Sequence, residues 1–141
     1  MPSEPRVTND SITIPSRTEF LATVDGFLEN KLRELDVDPS IITDIAISAS
    51  EVVNNAIIHG NKLDPAKSVT ITVTCNDKVV RLMVTDQGGG FDPKKTPDPL
   101  AEENLLKEVG RGIFIVRSLM DTVDITPTAS GLAVTMTKAI G

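Results

Sequence analysis

The sequence is poor in cysteine, histidine and aromatic residues. Among 141 residues it has one cysteine, one histidine and four phenylalanines, with neither tryptophan nor tyrosine. Because Cys75 is the only cysteine, an internal disulfide is excluded, and its place in an alternating segment predicts a buried, reduced thiol rather than a nucleophile. A zinc site is excluded as well, since no set of Cys and His ligands exists.

Basic residues are also few. The 14 Lys and Arg residues stand against 20 Asp and Glu, so the formal net charge is −6. We therefore expect no nucleic-acid partner, and any phosphate site has to be local. No apolar run approaches about 18 residues and no charged-then-apolar leader follows Met1. These features predict no membrane span, no secretion signal and a cytoplasmic location, and the length fits one domain, residues 1–141.

Three common nucleotide and metal motifs are missing. Gly110-x-Gly112 lacks the third glycine of a GxGxxG pattern, and no Gly-Lys-Ser/Thr sequence occurs, so Rossmann and P-loop sites are not supported. The stretch from Asp86 to Asp92 lacks the alternating Asp and Asn ligands of a calcium loop.

The stretch from Asp44 to Asn61 is the most informative part of the chain. At helical spacing its apolar residues form one broad arc: Ile42, Ile45, Ala49, Val52, Val53, Ala56 and Ile57. Beside the arc runs a polar row: Asp44, Ser48, Glu51, Asn55 and His59. Such a row is often only a solvated helix face, and His59 is typical of a helix-end packing residue. Glu51 and Asn55, however, stand about 5–6 Å apart on one face and can share a ligand.

Two glycine clusters favour the ligand interpretation. Asp86-Gln-Gly-Gly-Gly-Phe-Asp92 follows an apolar strand, and Gly110-Arg-Gly-Ile113 leads into a predicted helix. Consecutive glycines let backbone N–H groups approach an oxyanion closely, and helix N-termini attract phosphate.

The order of predicted elements indicates an α+β fold. In chain order they are an edge strand Ser11–Pro15, a helix after the capping box Ser16–Glu19, a long helix from Asp38 to Gly60, strands Val69–Cys75 and Val79–Thr85, a helix Ile113–Met120, and strands Thr122–Pro127 and Leu132–Ala139. Residues 1–10 are expected to be a frayed tail, and the Pro- and charge-rich residues 92–109 a lid. We predict a two-layer α/β sandwich: a mixed, mostly antiparallel sheet with three helices on one face.

Three segments together resemble the N, G1 and G2 boxes of the GHKL ATPases, the group that contains DNA gyrase, histidine kinases and anti-sigma-factor kinases. They are Glu51-Val-Val-Asn-Asn55-Ala-Ile-Ile-His-Gly60, Asp86-Gln-Gly88-Gly-Gly90-Phe and Gly110-Arg-Gly112-Ile. The resemblance is closest to stand-alone serine/threonine kinases that act as bacterial anti-sigma factors, and it covers nearly the whole chain. It implies the Bergerat fold, with ATP and Mg²⁺ as cofactors.

The resemblance also implies a role for each polar site residue. Asn55 would hold Mg²⁺ through its side-chain oxygen, and Glu51 would be the general base for the attacking hydroxyl. Asp86 would accept a hydrogen bond from the adenine amino group, which selects against guanine.

The glycines of the boxes would shape the nucleotide site. Gly88 and Gly90 would let their loop pass under the base, Gly110 and Gly112 would give backbone donors to the phosphates, and Gly131 belongs to the last box. Arg111 would either place a positive charge near the transferred phosphoryl group or point to solvent or a partner. The chain departs from the family pattern at two places: Leu132 stands where a threonine commonly follows Gly131, and Glu108-Val109 stand where relatives carry polar or basic residues.

Two functions follow from the resemblance. In the first, the protein is an ATP-dependent serine/threonine kinase that phosphorylates an anti-sigma-factor antagonist of the STAS type and, when free, sequesters a sigma factor. In the second, it is a nucleotide-gated binding module with little or no phosphoryl transfer, which would not need Glu51. Relatives suggest a homodimer, and a histidine-kinase fragment is a weaker third interpretation.

Overall fold

The computed structural model describes residues 4–88 and 112–140. These residues form six strands and three helices: β1 (Arg6–Val7), β2 (Ser11–Pro15), α1 (Leu21–Glu34), α2 (Pro39–Asn55), β3 (Ser68–Asn76), β4 (Val79–Thr85), α3 (112–119), β5 (Thr122–Pro127) and β6 (Leu132–Ala139). A 3₁₀ turn, Thr18–Phe20, precedes α1, and a π-helical turn, Ala56–Gly60, extends α2. Gly90, Gly110, Arg111 and the predicted lid at residues 92–109 lie outside the described residues.

The strands form one sheet in the order β1-β2-β3-β4-β6-β5. Every neighbouring pair within residues 4–88 and 112–140 is antiparallel, so the parallel pairing implied by a mixed sheet does not occur there. The hairpin of β5 and β6 places β6 beside β4, which leaves β5 at one edge.

Strand β1, at the opposite edge of the sheet, contradicts two predictions. Arg6 pairs with Thr13 and Val7 with Ile12, so part of the expected frayed tail is a strand. β2 is therefore an inner strand and not the predicted edge strand. Pro15, which has no N–H to donate, falls at its last position.

Alternation in the strands produces the core. Val69, Ile71 and Val73 of β3 are buried, while the threonines between them are half-exposed. The three helices pack on this buried face with one residue set from each: Val24, Leu28 and Leu32 of α1; Ile45, Ala49, Val52 and Val53 of α2; and Val116 of α3. The predicted α+β fold, one sheet with three helices on one face, is confirmed.

Helix α2 begins where the sequence predicts, and Asp38 caps it. The Asp38 carboxylate accepts hydrogen bonds from the hydroxyl and the backbone N–H of Ser40, at 2.7 and 2.9 Å, and Pro39 occupies the first turn. These two donors hold the pKa of Asp38 below its usual value.

The capping box predicted for α1 is wrong. Ser16 is fully buried, and its hydroxyl donates to the backbone oxygen of Lys67 at 2.7 Å. The chain then enters the 3₁₀ turn Thr18–Phe20 without a side-chain cap.

The helical segment Pro39–Gly60 is 22 residues long and, by length and composition alone, apolar enough to cross a membrane. The segment is not an uninterrupted apolar run, because Asp44 and Glu51 lie within it. Its apolar side is buried against the sheet at Ile45, Ala49 and Val53, whereas Glu51 lies on the polar row beside it. We therefore assign the segment as the core helix of the domain.

Candidate functional site

Helix α2 and the start of α3 bring three predicted site residues together. Glu51 and Asn55 are half-buried and one turn apart on α2. A Cβ placed on Gly112, the first helical residue of α3, would lie 3.1 Å from both Glu51 Oε2 and Asn55 Nδ2. The backbone of α3 therefore begins directly against the carboxylate and the carboxamide. We call Glu51, Asn55 and Gly112 the helix cluster.

Asp86 occupies the end of β4, as predicted, and is 6% exposed. Its backbone N–H donates to the backbone oxygen of Leu132 at 3.0 Å. Its Oδ1 accepts from the backbone N–H groups of Gly88, at 3.0 Å, and Leu132, at 3.1 Å. These bonds fix both the backbone and the side-chain direction of Asp86. Because Leu132 acts through its backbone, its departure from threonine leaves this support in place.

Three glycines lie so close to Asp86 or to one another that a Cβ on any of them would force a neighbouring atom to shift. A Cβ on Gly60 would lie 2.8 Å from Asp86 Cγ and closer still to Oδ2; a Cβ on Gly131 would lie 2.5 Å from Asp86 Oδ1 and overlap the backbone oxygen. A Cβ on Gly88 would overlap the backbone oxygen of Gly60. We call Gly60, Asp86, Gly88 and Gly131 the glycine cluster.

The sequence predicted Gly60 as the end of the long helix and as the last residue of the first box, without a role in the site, and the structure places it in the glycine cluster. The cause is the π-helical turn Ala56–Gly60, which is closed by a hydrogen bond from the Asn61 N–H to the Ala56 oxygen at 2.8 Å. Turns of this kind insert one extra residue and often occur at functional sites. A Gly at the end of a helix that also carries Glu51 and Asn55 was the available signal.

Asn61 is a second residue that sequence reasoning missed. It is fully buried, and its Oδ1 accepts a hydrogen bond from the backbone N–H of Gln87 at 2.8 Å. It thus connects the end of the core helix to the residue that follows Asp86. An amide just after an apolar segment carried no local signal of this contact.

The two clusters lie along one helical segment. Gly60 stands five positions after Asn55, at the end of the π-helical turn that extends α2, so the helix cluster and the glycine cluster are neighbours on this segment. An elongated ligand can therefore touch both clusters at once. No group of three or more His, Cys, Asp and Glu suited to a metal occurs within the described ranges. A magnesium ion at Asn55 would accordingly take most of its ligands from the nucleotide and water, which is its usual habit.

Comparison with known proteins defines the class of this fold and site. Residues 14–138 match the histidine kinase-like ATPase domain, so the chain belongs to this family. The three boxes predict that the chain belongs to the GHKL group, which contains the histidine kinases. The family match confirms this prediction.

Two curated relatives are similar over much of the chain. The "Serine-protein kinase RsbW" of Staphylococcus aureus is 28% identical over 134 residues, which cover 90% of this chain and 84% of the relative. The "Anti-sigma F factor" of Geobacillus stearothermophilus is 39% identical over 92 residues, which cover 64% of this chain and 63% of the relative.

Solved structures show the same fold. The RsbU and RsbW domains of Rv1364c from Mycobacterium tuberculosis align with a TM-score of 0.67 and 26% identity, covering 99% of this chain and 32% of that longer one. The blue-light activated histidine kinase of Erythrobacter litoralis aligns with a TM-score of 0.58 and 20% identity over 90% of this chain and 42% of its own. The second likeness concerns the fold alone.

Proposed function

We propose that the protein is an ATP-dependent serine/threonine kinase that acts as an anti-sigma factor. It phosphorylates an anti-sigma-factor antagonist and, when free of it, sequesters a sigma factor. The observation that carries the proposal is the helix cluster, in which a carboxylate and a carboxamide meet the start of a helix inside a histidine kinase-like ATPase fold. The names of the relatives, a serine-protein kinase and an anti-sigma factor, support it.

Each site residue has a chemical task in this proposal. The substrate hydroxyl attacks the γ-phosphorus of ATP, the bond to the leaving ADP oxygen breaks, and Glu51 accepts the hydroxyl proton. Asn55 would hold Mg²⁺, which would supply positive charge to the phosphates. The N–H groups at the start of α3 donate to phosphate oxygens, and Gly110 and Arg111 precede them in sequence. Asp86 accepts from the adenine amino group.

The partners follow from the same proposal. The substrate is an antagonist of the STAS type, the captured protein is a sigma factor, and the kinase acts in the cytoplasm as a homodimer. The net charge of −6 disfavours direct contact with nucleic acid.

The direct test incubates the protein with ATP labelled at the γ-phosphate and with antagonist proteins encoded nearby. The kinase predicts label on a serine or threonine of one antagonist, with ADP formed in step. A protein that binds ATP and the antagonist tightly, yet leaves the antagonist unlabelled after long incubation, is instead the nucleotide-gated binding module.

Asn55→Ala is expected to abolish Mg²⁺-dependent nucleotide binding and phosphoryl transfer while the fold persists. Asn55 lies on the polar row and outside the buried apolar set, so its removal costs little packing. Calorimetric titration with ATP, with and without Mg²⁺, measures the effect. Asn30→Ala on the exposed face of α1 is the matched control. If Asn55→Ala unfolds without nucleotide, Asn55 is structural and the metal is held elsewhere.

Gly60→Ala is expected to weaken ATP binding, because the new methyl group would press on the Asp86 carboxylate. Overpacking of this kind costs about 1–3 kcal/mol. Gly26→Ala is the control: it also lies in a helix, but a Cβ there meets nothing within 4 Å. Thermal melting and ATP titration of both variants separate the effects. Equal ATP affinity in both variants would show that Gly60 does not shape the site for the adenine base.

A further inference from the structure

A buried hydrogen-bond network centred on Asn61 lies behind the glycine cluster. Asn61 has 0% of its surface exposed. Its Nδ2 donates to Ser16 Oγ at 2.7 Å and to the backbone oxygen of Ser68 at 2.9 Å, and its Oδ1 accepts from the Gln87 N–H at 2.8 Å. One side chain therefore joins the end of β2, the start of β3 and the loop after β4.

The partners fix which way the amide points. The Ser68 backbone oxygen only accepts, so the Asn61 atom facing it is the nitrogen; the Gln87 N–H only donates, so the atom facing it is the oxygen. The Ser16 hydroxyl already donates to the Lys67 backbone oxygen at 2.7 Å, so it accepts from Asn61. A carboxylate at this position would turn an acceptor toward the Ser68 oxygen.

The Gln87 N–H belongs to the peptide group that joins Asp86 to Gln87. Asn61 holds this peptide on one side of Asp86, and the Leu132 oxygen holds the Asp86 N–H on the other. The Gln87 side chain strengthens the anchor, since its Oε1 accepts from the Ser68 N–H at 2.8 Å and from the Ser68 hydroxyl at 3.1 Å. The backbone on both sides of the carboxylate is thereby fixed.

We propose that Asn61 is a positioning residue that sets the direction of the Asp86 carboxylate, and through it the affinity and selectivity for the adenine base. The inference rests on the proposed function, in which Asp86 accepts from the adenine amino group. A carboxylate held in one direction accepts a hydrogen bond from the amino group of adenine and repels the oxygen that guanine presents there. Without the hydrogen bond from Gln87 to Asn61, the carboxylate is less well placed, so the affinity for adenine falls and the discrimination against guanine decreases.

The test uses Asn61→Asp, which keeps the shape of the side chain, and Asn30→Asp, an exposed Asn on α1, as the control for added charge. ATP and GTP are titrated calorimetrically in the wild-type background and in the Asp86→Asn background. We expect Asn61→Asp to weaken ATP binding by roughly tenfold or more, equivalent to about 1.4 kcal/mol, and to lower the ATP-to-GTP preference. In the Asp86→Asn background the same change should have little further effect, because the group it positions is already lost.

Two results would overturn the inference. One is an ATP affinity and an ATP-to-GTP preference for Asn61→Asp equal to those of wild type. The other is an equal loss of ATP affinity in both backgrounds, which marks Asn61 as structural only. If Asn61→Asp does not fold, Ser16→Ala removes one partner of the same amide and is expected to show a smaller loss with the same dependence on Asp86. Wild type that binds no ATP contradicts the proposed function instead, so the two failures are distinguishable.

Discussion

Glu51→Gln is expected to keep ATP bound and to slow phosphoryl transfer to the antagonist by roughly 10²–10⁴-fold. Glutamine keeps the size of Glu51 and its place against Gly112, so the helix cluster stays filled. It cannot take the proton of the attacking hydroxyl, and binding and chemistry should therefore separate. Single-turnover transfer measured beside ATP affinity shows both quantities in one preparation.

Glu34→Gln is the matched control for Glu51→Gln, because Glu34 is exposed at the end of α1, a different helix from the one that carries the site. It should change neither ATP affinity nor transfer. If wild type binds ATP and the antagonist but transfers no more phosphate than Glu51→Gln does, the protein is not a kinase. The nucleotide-gated binding module is then the function that fits.

Asp86→Asn is expected to weaken ATP binding severely while leaving the melting temperature close to that of wild type. The oxygen of an asparagine can still accept from the Gly88 and Leu132 N–H groups that now donate to Oδ1. Its NH₂ group is then forced into the place of Oδ2, where the adenine amino group needs an acceptor. A mismatch between two donors costs roughly 1–3 kcal/mol.

Calorimetric titration with ATP measures the effect of Asp86→Asn. Asp124→Asn on the exposed face of β5 makes the same chemical change away from the site and is the control. An unchanged ATP affinity in Asp86→Asn would exclude Asp86 from the base site, whatever the effect on transfer.

Local patterns predicted most of the secondary structure. β5 and β6 begin and end at the predicted residues, since alternation and the Ser130-Gly131 turn are local features. The start of the long helix at Asp38 was equally predictable, because the hydrogen bond that caps it joins residues only two positions apart. Strand β3 extends one residue beyond its predicted bounds at each end, to Ser68 and Asn76, and Asp77 and Lys78 form the turn to β4 at positive φ.

The missed features depend on residues far apart in sequence. Ser16 reads as a capping residue, but its hydroxyl is used by Lys67 and Asn61, 51 and 45 residues away. The pairing of Arg6 and Val7 with β2 was not predictable, because the polar N-terminal segment in which they lie shows no strand pattern. Helical propensity likewise does not signal the π-helical turn after Asn55, which places Gly60 against Asp86.

The candidate site was predictable to a similar extent. Spacing alone placed Glu51 and Asn55 on one helix face, and the structure brings Gly112 to the same point. It also brings Gly88 and Gly131 to Asp86. The roles given to these residues stay predictions, and Gly90, Gly110 and Arg111 lie outside the described residues.

Whether one ATP molecule contacts both the helix cluster and the glycine cluster is tested most directly by nuclear magnetic resonance, with Mn²⁺ in place of Mg²⁺. Bound Mn²⁺ broadens the signals of nuclei close to it. We expect Mn²⁺ with ATP to broaden the side-chain amide of Asn55 and the backbone amide of Gly112, while ATP also shifts the amides of Gly88 and Leu132 through contact of the base with Asp86. Broadening that spares Asn55 and Gly112, or ATP binding that leaves Gly88 and Leu132 unshifted, would contradict a single ATP site built from the two clusters.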